Sequence, residues 1–224
     1  MNAGTDLVCQ RQGGLLEIAL NRPDRLNALT PQSAQALLYA VRQGQDDPAV
    51  RLLLIRGEGR SFCAGKDRDA PASAAFVATL QQLAAALVDG KPSVAAVQGW
   101  AGGAGLELAL NCDVVFASED ARFALPEAQL GLPGTGGIHA LLPRLIGLGR
   151  AKALLWSGQA FGARQAHDWG LVWQLTSPGA LLDEARAFGR LLEQAEPGAL
   201  ARVKALLHAA ALRDFGATLA AEGG

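Results

Sequence analysis

Two glutamates twenty positions apart stand in unusual frames. Glu107 closes the stretch Gly99-Trp-Ala-Gly-Gly-Ala-Gly-Leu-Glu107, and Glu127 closes Ala121-Arg-Phe-Ala-Leu-Pro-Glu127. Between them runs the apolar segment Cys112-Asp-Val-Val-Phe-Ala117, which reads as a buried strand. A glycine-rich turn, a carboxylate one helical turn on, a strand and a second carboxylate can bring two acids to one pocket. Two carboxylates facing one site are suited to moving protons and activating water. The bland alternative is that each acid merely decorates a helix start, where negative charge is favoured.

The elements that must position these acids follow from periodicity. Strands are expected at Leu15–Leu20, Arg51–Ile55, Ser93–Val97 and Leu171–Leu175. Thr30-Pro31 opens a helix running to about Gln43, with Thr30 as cap and Pro31 at its first position. Further helices are expected over 72–88, 102–110, 150–156, 163–169, 181–194 and 198–211. Gly57–Asp69 and Gly131–Gly137 read as loops, and Trp156, Trp169 and Trp173 as core or interface packing. Strands alternating with helices argue for α/β layering.

Composition narrows the classes. Half of the 224 residues are apolar, enough for a sizeable core. A net charge of −1 gives no argument for nucleic acid or for an acidic membrane surface. Cys9, Cys63 and Cys112 lie far apart, which fits a reducing compartment. With no apolar leader or membrane span legible, the expectation is a soluble cytoplasmic protein.

Competing motifs fail on spacing. Gly59-Arg-Ser-Phe-Cys-Ala-Gly-Lys66 has five residues between its glycines and Asp67 after the lysine, so it is not a phosphate loop. Gly102-Gly-Ala-Gly105 lacks dinucleotide spacing. His139, His167 and His208 form no metal-ligand pattern, so no metal is expected.

An ordered set of segments then carries a resemblance. Ile18-Ala-Leu-Asn-Arg-Pro23 with Asn27-Ala-Leu29, Phe62-Cys-Ala-Gly-Lys-Asp67, the two glutamate frames, Pro133-Gly-Thr-Gly-Gly137 and Gly170-Leu-Val172 follow one another. Over about residues 8–222 the chain resembles the enoyl-CoA hydratase/isomerase superfamily, the crotonases. The resemblance implies an α/β spiral of ββα units, placed at 1–195, with a shortened C-terminal helical segment at 196–224. It implies an acyl-CoA thioester as substrate, no cofactor, and a homo-oligomer, trimer or hexamer. It also implies an oxyanion hole made by the backbone N–H groups of Lys66 and Ala104, with Glu107 and Glu127 as the catalytic acids. Losing one such donor typically costs on the order of 10²–10³ in rate. Arg22, Asn27, Ala28, Ala64, Gly65, Asp67, Gly103, Pro126, Pro133 and Gly134 fall at positions implied to border substrate or CoA.

The activity so implied is 2-trans-enoyl-CoA hydration, with Glu127 as proton donor to C2 and Glu107 as holder of the water. The alternatives are a Δ3-Δ2 enoyl-CoA isomerase, which some relatives with a segment like His167–Gln174 resemble, and an inactive acyl-CoA- or RNA-binding member. The chain departs from the family pattern in a short stretch at 69–74, in one residue fewer before Pro133-Gly134, and in its end at Gly224. From that end follow the expectations of weakened CoA binding and of an apolar surface at Leu206, Leu207 and Leu212.

Overall fold

Apolar runs in mid-chain become parallel strands, because a strand covered on both faces must be hydrophobic at every position. The computed structural model describes residues 6–70, 73–212, 214, 216, 219 and 220. Its strands are β1 (Leu7–Gln12), β2 (Leu15–Leu20), β3 (Leu52–Gly57), β4 (Ser93–Val97), β5 (Trp100–Gly102), β6 (Val114–Ser118), β7 (Arg122–Ala124), β8 (Phe161–Gly162) and β9 (Gln174–Thr176). The helices are α1 (Pro31–Asp46), α2 (Ala74–Asp89), α3 (Ala104–Asn111), α4 (Ile138–Ile146), α5 (Leu148–Ser157), α6 (Ala163–Asp168), α7 (Leu181–Leu192) and α8 (Ala199–Ala211).

Six strands form one sheet in the order β1-β2-β3-β4-β6-β9, parallel except for β1 against β2. The period-2 alternation of a strand divides its core in two. Leu53, Ile55, Ala95, Val97, Val115 and Ala117 join the main core. Leu52, Leu54, Val94, Ala96 and Phe116 point to the other face, where Leu181 and Ala185 of α7 cover them.

A second, smaller layer is β5-β7-β8, extended by isolated bridges between Leu29 and Lys66 and between Cys63 and Ala101. Successive passes of the chain visit the large sheet, then this second layer, then a helix. That is the ββα spiral expected from the sequence. The capping box at Thr30 and Ser33 starts α1 as read, with Pro31 at its first position.

Several elements differ from expectation. The edge strand β1 was not foreseen, since Leu7 and Cys9 pack only partly against the core and Gln10, Arg11 and Gln12 are exposed. β5, β7 and β8 are two or three residues long, too short to show periodicity. α4 was missed because Pro143 lies inside it; the helix runs through the lost donor to Ile146. Of the strand expected at 171–175, only Gln174 and Leu175 lie in β9, while Leu171 and Val172 are buried before it. Trp156 and Trp173 are 70% and 65% exposed and so do not belong to the core, whereas Trp169 packs at a tilt against Phe161.

α8 is tied to the spiral by a buried lysine. Lys204 Nζ donates to the carbonyls of Leu87 and Lys91 at 2.6 and 3.2 Å and to the Asp113 carboxylate at 2.8 Å. Leu206 and Leu207 are exposed as expected, but Leu212 is half-buried and packs on the cluster containing Leu141 and Leu219. The short stretch at 69–74 lies partly outside the described residues, and 221–224 wholly so.

Candidate active site

Gly103 is the hinge of the site. Its φ of +50° and ψ of −125° suit glycine alone, and there the chain leaves β5 and enters α3. Ala104 is the first residue of that helix, where backbone N–H groups have no intrahelical acceptor. Gly105 lets the helix start press on the neighbouring loop: a Cβ there would lie 2.2 Å from the carbonyl oxygen of Cys63.

Lys66 lies on that same loop. The bridge to Leu29 is made by Leu29 N–H to Gly65 O at 2.7 Å and by Asp67 N–H to Leu29 O at 2.8 Å. Strand alternation therefore turns the amide of Lys66 away from Leu29. Among the described residues, neither the Lys66 nor the Ala104 amide donates to a protein acceptor. Gly65, with φ +99°, keeps the two segments close: a Cβ on it would lie 2.7 Å from Gly102 O and 3.5 Å from Ala104 N.

Glu107, one helical turn into α3, is 3% exposed. Its Oε1 accepts from the amide of Thr135 at 3.0 Å and its Oε2 from the Thr135 hydroxyl at 3.3 Å. The glycines around Thr135 make this cradle possible. A Cβ at Gly136 would lie 2.9 Å from Glu107 Oε2, and one at Gly134 would lie 3.1 Å from Oε1. Donors aimed at a carboxylate favour its charged form.

Glu127 begins a single 3₁₀ turn, Glu127–Leu130, directly after Pro126. It is 8% exposed, and its Oε2 is buried without a hydrogen-bond partner. Its Oε1 approaches the hinge closely enough that a Cβ on Gly103 would lie 2.7 Å away. Burial pushes its carboxyl up to about 7; the charge of Glu107 adds to this, and its own backbone amide, then Lys66 and His139, oppose it. The two acids thus occupy unlike environments: Glu107 is held by both donors of Thr135, whereas Glu127 keeps one oxygen buried without a partner.

Beside Glu127 opens a cavity of about 290 Å³, lined by Leu132, Pro133, His139, Leu155 and Trp156 among others. A larger cavity of about 620 Å³ lies under α8 and includes His167 and His208, but none of the residues singled out above for chemistry.

The remaining expected residues form a separate knot at the mouth of the Lys66 loop. Arg22 and Arg25 each donate to Asp67 at 3.0 Å. The Asp69 amide and these guanidinium groups hold the Asp67 carboxyl below the usual range. Asn27 is 2% exposed; it donates to Glu58 O and Ser61 O at 2.9 and 2.8 Å and accepts from the Arg22 amide at 2.8 Å. Its side-chain polar atoms are thus spent inside the chain. Ala28 O accepts from Arg22, and the Ala64 amide donates to Leu26 O at 2.9 Å. Pro126 is half-buried, Pro133 exposed and Gly134 buried at the edge of the acid pair. Thr135, Gly136 and His139 were not singled out for the site. Thr135 lay inside a loop read for its glycines, and His139 was tested only as a metal ligand.

Among the described residues, no group of three or more His, Cys, Asp or Glu side chains is placed to hold a metal, and no helix is long and apolar enough to cross a membrane.

The fold is a spiral of ββα turns in which the Lys66 amide on a loop, the Ala104 amide at the start of α3 and two buried glutamates lie close together. The chain belongs to the enoyl-CoA hydratase/isomerase family, whose model matches residues 10–223. It is 36% identical over 211 residues to 1,2-epoxyphenylacetyl-CoA isomerase of Escherichia coli strain K12, covering 88% of this chain and 79% of that one. It is 37% identical over 201 residues to crotonyl-CoA hydratase of Syntrophomonas wolfei, covering 85% and 77%. Among solved structures, an enoyl-CoA hydratase from Mycobacterium avium subsp. paratuberculosis K-10 superimposes with a TM-score of 0.91 at 32% identity, over 97% of this chain and 87% of that one.

Proposed function

We propose that this protein is a 2-trans-enoyl-CoA hydratase, acting without metal or redox cofactor. The observation that carries the reading is the unlike pair: Glu107 cradled by both donors of Thr135, Glu127 buried with an unpartnered oxygen and raised to about 7. Near neutral pH Glu127 is poised between its protonated and charged forms, as a group that gives and regains a proton during addition of water needs to be.

In the proposed reaction the thioester carbonyl sits between the Lys66 and Ala104 amides. Glu107 takes a proton from water as its oxygen bonds to C3. The C2–C3 π electrons move into the thioester, and negative charge gathers on its oxygen, where the fixed N–H dipoles meet it without reorganisation. Glu127 then gives its proton to C2. Return of the proton from Glu107 to Glu127 closes the cycle, and the net change is addition of one water.

A second reading, an enoyl-CoA isomerase, has one specific support in the likeness to the Escherichia coli isomerase. The segment His167–Gln174 shared in kind with such relatives runs from α6 to β9, and its His167 and Trp173 line the cavity under α8 instead of the one at Glu127. An isomerase needs a single carboxylate to shuttle a proton, so the second buried acid favours hydration. The test is loss of the conjugated-thioester absorbance with short and medium 2-enoyl-CoAs. Turnover to the 3-hydroxyacyl product supports the reading, and double-bond migration without hydration supports the isomerase.

Homo-oligomerisation, as a trimer or hexamer, belongs to the same proposal. Leu206 and Leu207, 72% and 62% exposed on α8, are the apolar surface association would cover. Light scattering that finds only monomer at micromolar concentration counts against it.

A further inference from the structure

The cavity beside Glu127 brings a third ionisable group to the acid pair. His139 stands in the first turn of α4, half-buried, and lines the same cavity as Glu127. Gly134 lies close to both it and Glu107. A Cβ built on Gly134 would lie 3.1 Å from Glu107 Oε1 and 3.2 Å from His139 Cε1. Cε1, bonded to both ring nitrogens, is the imidazole atom that meets Gly134. Imidazole is the side chain whose charge changes nearest neutrality.

Glu107 faces His139 from α3, Glu127 from the 3₁₀ turn and Lys152 from α5 across the cavity. Lys66 acts on Glu127 from the loop after Gly65. Arg144, on the same helix as His139, is turned to the carbonyls of Ala140 and Ala211.

We infer that His139 is a positioning residue of the acid pair, setting through space, across Gly134 and the cavity, which charge state Glu127 holds when substrate arrives. Its kinetic consequence rests on the hydratase reading; its electrostatic one does not. A positive imidazole beside Glu127 opposes the effect of burial, so removing it leaves Glu127 protonated to higher pH. A hydratase that uses protonated Glu127 then keeps its activity further into the alkaline range.

The test is a ¹³C titration of the glutamate carboxyls in wild type and His139→Gln, with Glu127→Gln identifying the resonance. The expected result is an upward move of the Glu127 midpoint by about half a pH unit, less than the roughly 1–3 units of an opposite charge in direct contact, because His139 is the smallest of the influences on Glu127. The alkaline limb of kcat/KM should move with it. A residue that served only packing would lower kcat at every pH and leave both midpoints in place. An unchanged Glu127 midpoint in folded His139→Gln overturns the inference.

Should His139→Gln fail to fold, the reciprocal measurement decides. Coupled groups shift each other equally, so the His139 imidazole in Glu127→Gln should titrate lower than in wild type. No change there overturns the inference as well. Both titrations read without enoyl-CoA, so absence of hydratase activity would sink the proposed reaction and leave this inference to stand or fall separately.

Discussion

Thr135 grips Glu107 with both of its donors, the amide at 3.0 Å to Oε1 and the hydroxyl at 3.3 Å to Oε2. The grip fixes the carboxylate in one orientation. Thr135→Val keeps the shape and the amide but removes the hydroxyl. Hydrogen bonds to charged groups are worth about 1.5–3 kcal/mol, so kcat with an enoyl-CoA should fall by about tenfold or more while KM changes little. A wild-type kcat in this variant would mean that the hydroxyl has no part in holding the base.

Gly103 cannot carry a side chain. With φ +50° and a Cβ destined to fall 2.7 Å from Glu127 Oε1, Gly103→Ala combines backbone strain with displacement of the acid. Strain of this kind costs on the order of 1–3 kcal/mol. Denaturant melts should show a loss of that size, and activity should fall further than stability explains. A variant as stable as wild type would contradict the hinge geometry.

The buried carboxyl of Glu127 predicts how stability depends on pH. Its carboxyl is raised from the ordinary 4.5 to about 7 on folding, so between those values the folded state holds a proton that the unfolded chain has released. Stability from this group is present in acid and is lost as pH rises toward 7, at up to about 1.4 kcal/mol per pH unit. Glu127→Gln removes the loss. The variant should melt higher than wild type at pH 8, with the gap closing toward pH 4.5. A gap that widens in acid would reverse the sign and the assignment.

The oxyanion hole separates backbone from side chain. Ala104 opens α3, where proline is tolerated in a helix, yet Ala104→Pro deletes the N–H. Activity should fall by on the order of 10²–10³, with helix content checked by circular dichroism. Lys66→Ala keeps its amide and should cost less than about tenfold by the same argument. Equal losses in the two variants would place the work in the lysine side chain.

Much of the site was legible because its parts are sequence-local. Glu107 one turn after Gly103, Glu127 after Pro126, and the amides of Lys66 and Ala104 are fixed by short motifs whose glycines have conformational reasons to be there. The strands at 15–20 and 93–97 were legible because both-sided burial makes apolar runs. What was hidden depends on distant packing. Nothing in Thr135 announces that it reaches Glu107, twenty-eight positions earlier. His139 shares a cavity with Glu127 only once α4 folds through Pro143. Asn27 read as a substrate neighbour, but its left-handed backbone, φ +56°, turns the amide inward to Glu58 and Ser61.

The central claim is that two carboxylates act together on one water, and kcat of Glu107→Gln and Glu127→Gln with crotonyl-CoA tests it most directly. Both acids are buried and glutamine is nearly isosteric, so each variant should fold and each should lose at least about 10²-fold in kcat, the scale of a general acid or base. If either folded variant turned over at close to the wild-type rate, that carboxylate would be a bystander and hydration by an acid pair would be the wrong account.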